Sequence, residues 1–135
     1  MARFTERAQT LEEGLLFINL VDFDMLYGHR RDATGYAAAI ESFDQELQRF
    51  EEILVSGDLV LLTADHGNDP TFVEGTDHTR EYIPVLAYGP DLAPGADLGT
   101  RTTFADIGAT VEEHLGLTPQ DSGTSFLPAL QGAVA

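Results

Sequence analysis

The hydrophobic pattern alternates continuous apolar runs with helical stripes. The first run, Leu15-Leu16-Phe17-Ile18-Asn19-Leu20-Val21, has one polar interruption and suits a strand covered on both faces, as in a parallel sheet. A second strand is predicted over 58–63, built on Leu59-Val60-Leu61-Leu62. Tyr82-Ile83-Pro84-Val85-Leu86-Ala87-Tyr88 is a third, closed by Gly89-Pro90. Pro84 has no N–H to give a ladder, so it belongs at that strand's start or on an edge. Between the first two strands, Tyr36, Ile40, Phe43, Leu47, Phe50 and Leu54 recur at steps of four and three, giving a helix one apolar face. Asp32 or Thr34 caps its start and Ser56-Gly57 ends it. A second helix runs from about Phe104 to Leu115, with Phe104, Ile107, Gly108, Val111 and Leu115 facing inward and Gly116 stopping it. Thr103 and Asp106 resemble a capping box with Asp in place of Glu. Strand, helix, strand is the βαβ pattern, so the predicted fold class is α/β: a parallel-sheet core with flanking helices. Residues 1–14 read as a polar leader (a frayed helix) and 15–135 as one core segment. The tail, 117–135, is short and rich in small residues, and predicts nothing further.

Composition narrows the class. A chain of 135 residues is long enough for one domain with its own core, and 43% hydrophobic residues is ordinary for a soluble protein. There is no cysteine, which excludes a disulfide framework and a thiolate metal site. No apolar stretch reaches the roughly 18 residues of a membrane span. Met1-Ala2-Arg3-Phe4-Thr5-Glu6-Arg7 lacks the apolar centre of a signal peptide, so the cytoplasm is the default compartment. Twenty-three acidic residues against seven basic ones give a net charge of −16, and every basic residue is an arginine. Such a chain repels nucleic acid and anionic membranes, so neither is expected as a partner, and it attracts cations. Arg30, Arg31 and Arg80 lie beside histidines, where positive charge suits an incoming phosphate.

The candidate chemistry lies in the loops. Asp22-Phe23-Asp24 follows the first strand and leads to His29. Thr63-Ala64-Asp65-His66-Gly67 closes the second strand, at the end where open α/β sheets bind ligands. Gly75-Thr76-Asp77-His78-Thr79-Arg80-Glu81 lies in a long polar loop from Gly67 to Glu81, and loops of that length are usually functional or disordered. Of the four histidines, His29, His66 and His78 share loops with aspartates, while His114 sits near the second helix's C-terminus and suits an interaction with the helix end. Three Asp/His loops converging on one sheet edge are the footprint of one or two cations. Mixed carboxylate and imidazole donors suit manganese or zinc better than magnesium or calcium. Two such metals about 3.5–4 Å apart grip a phosphoryl group and activate a nucleophile.

Val21-Asp22-Phe23-Asp24-Met25-Leu26-Tyr27-Gly28-His29-Arg30-Arg31-Asp32, Thr63-Ala64-Asp65-His66-Gly67 and Gly75-Thr76-Asp77-His78-Thr79-Arg80-Glu81-Tyr82-Ile83-Pro84-Val85 resemble phosphopentomutase, a family of the alkaline phosphatase superfamily. Phe104-Ala105-Asp106-Ile107-Gly108 is similar to that family too. The resemblance runs from about Leu15 into the tail. It implies a core of alkaline-phosphatase type and an isomerase acting on pentose phosphates. Such an enzyme interconverts ribose or deoxyribose 1-phosphate and 5-phosphate, through a phosphorylated threonine and a sugar bisphosphate. Two Mn2+ ions and a sugar bisphosphate activator follow from the same resemblance. It assigns Asp24, His29 and His78 to one metal and Asp65 and His66 to the other. Arg30, Arg31, Arg80 and Asp77 are the candidates to neutralise a phosphate or to fix a ligand carboxylate.

The chain also departs from the family pattern. Family members are much longer, and draw an aspartate ligand and the nucleophilic threonine from segments near their N-terminus. A separate cap domain binds the sugar phosphate. None of these has a counterpart here, and Thr63, Thr76 and Thr79 do not match the nucleophile, so no catalytic residue is identified. The expectation is a C-terminal core segment with an incomplete sheet, exposed apolar edges and a complementing N-terminal segment as partner. Two alternatives stand beside it. One is a non-catalytic metal-binding fragment or one half of a split enzyme. The other is a cofactor-independent phosphoglycerate mutase, which shares a loop like Thr63-Ala64-Asp65-His66-Gly67-Asn68. The five-residue step from Asp24 to His29 and the segment Gly75–Glu81 disfavour that mutase.

Overall fold

A computed structural model of the chain describes residues 1–118, 120 and 122–132. In order, its elements are α1 (Ala2–Ala8), a π-helical turn (Phe23–Gly28), α2 (Ala33–Glu51), β1 (Val60–Thr63), β2 (Val85–Tyr88), α3 (Ala105–His114) and α4 (Leu127–Leu130). They fall into two compact units, one of Met1–Leu54 with Leu62–Val85, the other of Val55–Leu61 with the residues from Leu86 onward. Among the described residues, no helix is long and apolar enough to cross a membrane.

The first unit is organised on α2. Asp32 caps it, its Oδ1 accepting from the Gly35 N–H at 2.8 Å. On the predicted apolar face Phe50 is buried and Tyr36, Phe43 and Leu47 are half-buried, but Ile40 is exposed. The helix stops at Glu51, short of Ser56-Gly57, and the Ile53 and Leu54 N–H groups close tighter turns onto the Phe50 and Glu51 carbonyls at 3.2 and 3.3 Å. Three aromatic contacts attach the neighbouring helices. The Phe4 ring of α1 lies 5.3 Å from that of Phe50, and Phe23 of the π-helical turn lies 5.6 Å from Tyr36 and 6.2 Å from Phe43.

The sheet differs from the parallel one expected. Leu15–Val21 forms no strand, and Phe17 is 81% exposed. A strand needs a neighbour for its N–H and C=O groups, and none of the described residues pairs with this run. The βαβ unit is therefore not formed among the described residues. β1 and β2 pair antiparallel: Thr63 Oγ1, at the end of β1, donates to the Pro84 carbonyl at 3.0 Å, just before β2 begins. At the other end Gly89 abuts the Asp58 carbonyl so closely that a Cβ there would overlap it. No helix lies between these strands, and a parallel pair requires a crossover of that kind. Pro84 sits one residue before β2, where its missing N–H costs no ladder bond.

In the second unit α3 begins at Ala105, and its predicted capping box does not form. Thr103 Oγ1 accepts from the Ala105 N–H at 3.2 Å. The Asp106 carboxylate turns away from Thr103 and accepts from the Thr124 N–H and from Arg101 Nε, both at 2.8 Å. This sets which face of α3 is covered. Asp106 and Thr110 are buried, while Phe104, expected inside, is 58% exposed. Thr110 Oγ1 donates to the Asp106 carbonyl at 2.7 Å and accepts from the Phe126 N–H at 3.0 Å. Among the described residues, Phe126, Leu127 and Leu130 are the buried apolar residues of this unit, so the tail supplies its core. Gly123, at φ 85°, passes so close to the Ala105 carbonyl that any side chain would overlap it.

Two outcomes follow. Thr110→Val keeps the shape but leaves the buried Phe126 N–H without an acceptor, a loss of about 1–3 kcal/mol. Thr110→Ser keeps both hydrogen bonds and removes one methyl group, worth about 0.8 kcal/mol. Urea unfolding therefore ranks Ser above Val, and the reverse order contradicts the assignment. The Thr124 N–H, opposed by burial and helped by the Arg101 guanidinium, holds the Asp106 carboxyl below the usual carboxylate range. A carboxyl lowered on folding stabilises the fold above its unfolded value of about 3.9, and the gain is lost as pH falls through the folded value. Asp106→Asn is thus less stable than the parent at neutral pH, and the gap narrows on acidification. A gap of constant size across that range contradicts this.

Candidate metal centre

Five residues separate Asp24 from His29. On an α-helix that step leaves two side chains about 140° apart. Here the chain forms a π-helical turn instead, and the His29 N–H reaches back five residues to the Asp24 carbonyl at 2.9 Å. Both side chains then share one face, with His29 Nε2 3.3 Å from Asp24 Oδ2. Phe23, packed on Tyr36 and Phe43, anchors the turn to α2.

His78 arrives from the long loop. An isolated antiparallel bridge between Gly67 and Thr79, with the Thr79 N–H donating to the Gly67 carbonyl at 3.0 Å, lays the two sides of that loop together. His78 Nε2 then lies 3.6 Å from Asp24 Oδ1 and 3.2 Å from His29 Nε2. Asp24, His29 and His78 thus offer one ligand atom each, all within 4.8 Å of one another. His29 Nδ1 donates to the Thr76 carbonyl, which fixes the neutral ring's tautomer and leaves a lone pair on Nε2. One carboxylate and two imidazoles aimed at one point fit a divalent cation of the manganese or zinc type.

Of the other candidates, His66 is brought against this group and Asp65 is not. The His66 ring stacks on His78 with centroids 3.6 Å apart and 19° between planes. The Asp65 side chain is 87% exposed, with Oδ1 3.6 Å from His66 Nε2. Asp77 uses Oδ1 to accept from the His78 N–H at 2.8 Å. Arg30 and Arg80 are exposed, and the described residues give them no hydrogen bond or ion pair. Arg31 is engaged with backbone carbonyls of Gly28, Asp69, Gly75 and Asp77 and with the Asn68 side chain. Asp69 turns its carboxylate to Thr71, whose hydroxyl and N–H hold it below the usual range.

Sequence reasoning missed Asn68. Its Nδ2 donates to Asp24 Oδ1 at 2.5 Å, orienting the carboxylate. Its place directly after Asp65-His66-Gly67 was the available signal. Gly28 makes the approach possible, since a Cβ there would overlap the Asn68 amide.

A family model described as the metalloenzyme superfamily matches residues 1–119, and the chain belongs to that superfamily. Within it the chain is similar to phosphopentomutases. That of Methylorubrum extorquens strain PA1 is 57% identical over 115 residues, covering 85% of this chain and 28% of the relative. That of Anaeromyxobacter sp. strain K is 55% identical over 127 residues, covering 94% and 32%. That of Vibrio cholerae serotype O1 is 55% identical over 119 residues, covering 88% and 29%. The chain thus spans less than a third of the length of these curated relatives.

Proposed function

We propose that this chain forms the metal-binding portion of a phosphopentomutase-type isomerase, which interconverts ribose or deoxyribose 1-phosphate and 5-phosphate by phosphoryl transfer. The observation that carries the reading is the convergence of Asp24, His29 and His78, in a chain 57% identical over 115 residues to a phosphopentomutase. Asp24, His29 and His78 would hold one divalent cation, and Asp65 and His66 belong to a second. Manganese suits this donor set. Such cations neutralise phosphoryl oxygens and stabilise charge that develops during transfer.

The chain's own residues prepare that chemistry. Asn68 holds the Asp24 carboxylate, and the Thr76 carbonyl holds His29 with its Nε2 lone pair outward. Arg30 and Arg80, exposed at the two loops, are the guanidinium groups placed to receive a phosphate on an otherwise acidic chain. No threonine of the loops is proposed as nucleophile. Thr63 Oγ1 donates to Pro84, and Thr79 Oγ1 is engaged with Glu81 and the Asp69 N–H. In this reading the phosphorylated threonine, a further aspartate ligand and the cap come from a complementing segment, and a sugar bisphosphate serves as activator. The same segment would give Leu15–Val21 its missing strand neighbours in a core of alkaline-phosphatase type.

The test supplies the remaining portion of a phosphopentomutase relative together with this chain, Mn2+ and a sugar bisphosphate. Ribose 1-phosphate is expected to convert to ribose 5-phosphate at about 1–10³ per second, and His78→Ala to abolish most of that rate. Conversion of phosphoglycerates in place of pentose phosphates overturns the reading. So does Mn2+ binding without conversion of either, which would leave a metal-binding chain with no part in catalysis.

A further inference from the structure

Arg31 has φ 55°, the left-handed region that residues other than glycine seldom enter. That backbone aims its guanidinium into the loops rather than toward solvent. Nε donates to the Gly75 carbonyl at 2.7 Å. Nη1 donates to Asn68 Oδ1 at 2.9 Å, to the Asp69 carbonyl at 2.8 Å and to the Gly28 carbonyl at 3.3 Å. Nη2 donates to the Asp77 carbonyl at 2.6 Å.

Three of these acceptors sit one step from the cation donors, and a fourth, Gly75, sits two. Gly28 precedes His29, and Asp77 precedes His78. Gly75 precedes Thr76, whose carbonyl accepts from His29 Nδ1. Asn68 accepts from Arg31 at one end of its amide and donates to Asp24 Oδ1 at the other, which also fixes which end is which. One planar cation therefore reaches all three donors, each through a single intervening group.

We infer that Arg31 is the positioning residue of the cation site: it sets the spacing of Asp24, His29 and His78 and does not meet phosphate. The inference rests on the reading that these three side chains hold the cation. Lysine cannot replace it. A lysine carries the same charge on one nitrogen, whereas these acceptors lie around a rigid fork. Groups that orient metal ligands typically cost 10–100-fold in affinity or activity when removed, and that is the scale expected here.

The experiment titrates Mn2+ into Arg31→Lys, Asn68→Ala, His78→Ala and the parent chain, reading free Mn2+ by electron paramagnetic resonance. The visible spectrum of the Co2+-loaded chains reports ligand arrangement independently, and far-ultraviolet circular dichroism of the metal-free chains reports folding. Arg31→Lys is expected to fold, to bind Mn2+ about 10–100-fold more weakly and to shift the Co2+ bands. Arg49→Lys, on the exposed side of α2, is expected to match the parent. A folded Arg31→Lys with parental Mn2+ affinity and an unchanged Co2+ spectrum overturns the inference. So does one that loses affinity for inorganic phosphate alone. If Arg31→Lys does not fold, Asn68→Ala decides, because it cuts only the link to Asp24. Weakened Mn2+ binding there supports the inference and parental binding overturns it. Should His78→Ala bind Mn2+ as the parent does, the cation reading itself fails, and the inference with it.

Discussion

A five-residue step between a carboxylate and an imidazole can serve one cation only if the backbone departs from the α-helix. The π-helical turn at Phe23–Gly28 makes that departure, and everything else at the site is arranged against it. A single widened turn has little stability of its own. It is held from outside by Phe23, packed on two aromatic rings of α2, and from inside by Asn68, which reaches Asp24 past the bare backbone of Gly28. Only then does His78, 49 residues further along the chain than His29, find both partners within reach.

The charge of the chain adds a second constraint. At a net −16, the protein repels anions, including any phosphorylated substrate. Its seven arginines are used differently from one another. Arg31 is spent on loop carbonyls and Arg101 on the buried Asp106, while Arg30 and Arg80 stay open to solvent. Substrate attraction in the proposed role then falls to two exposed arginines and to the cations bound by the acidic loops. Arg101 and Asp106 show how burial can be tolerated for a charged pair. Each oxygen of the carboxylate has a donor, and the guanidinium lies 5.8 Å from the centre of the Phe126 ring.

What was legible in the sequence was local. The α2 stripe, its Asp32 cap and the position of Pro84 all follow from side-chain chemistry within a few residues. The Asp/His loops were legible for the same reason, since carboxylate and imidazole side by side after an apolar run is a chemical statement before it is a structural one. What failed depended on partners distant in sequence. Leu15–Val21 has the composition of a buried strand, but composition cannot supply the neighbour that a ladder needs. The Asp106 carboxylate chose Thr124, 18 residues away, over a local cap, and this buried the Asp106 and Thr110 side of α3 while Phe104 stayed exposed. The tail looked featureless because Phe126, Leu127 and Leu130 gain meaning only when Thr110 accepts the Phe126 N–H. Arg31 and Asn68 were invisible as a pair, because what joins them is a left-handed backbone that no residue type announces.

The most direct test of the account counts nitrogens. Electron spin-echo envelope modulation of the Mn2+-loaded chain detects each imidazole bound to the ion. Asp24, His29 and His78 predict two coupled nitrogens at one site, reduced to one by His29→Ala and likewise by His78→Ala. A bound Mn2+ ion with no nitrogen coupling, or with coupling that survives both substitutions in a chain that also carries His66→Ala to silence the second proposed site, would place the cation elsewhere and contradict the assignment of this loop cluster.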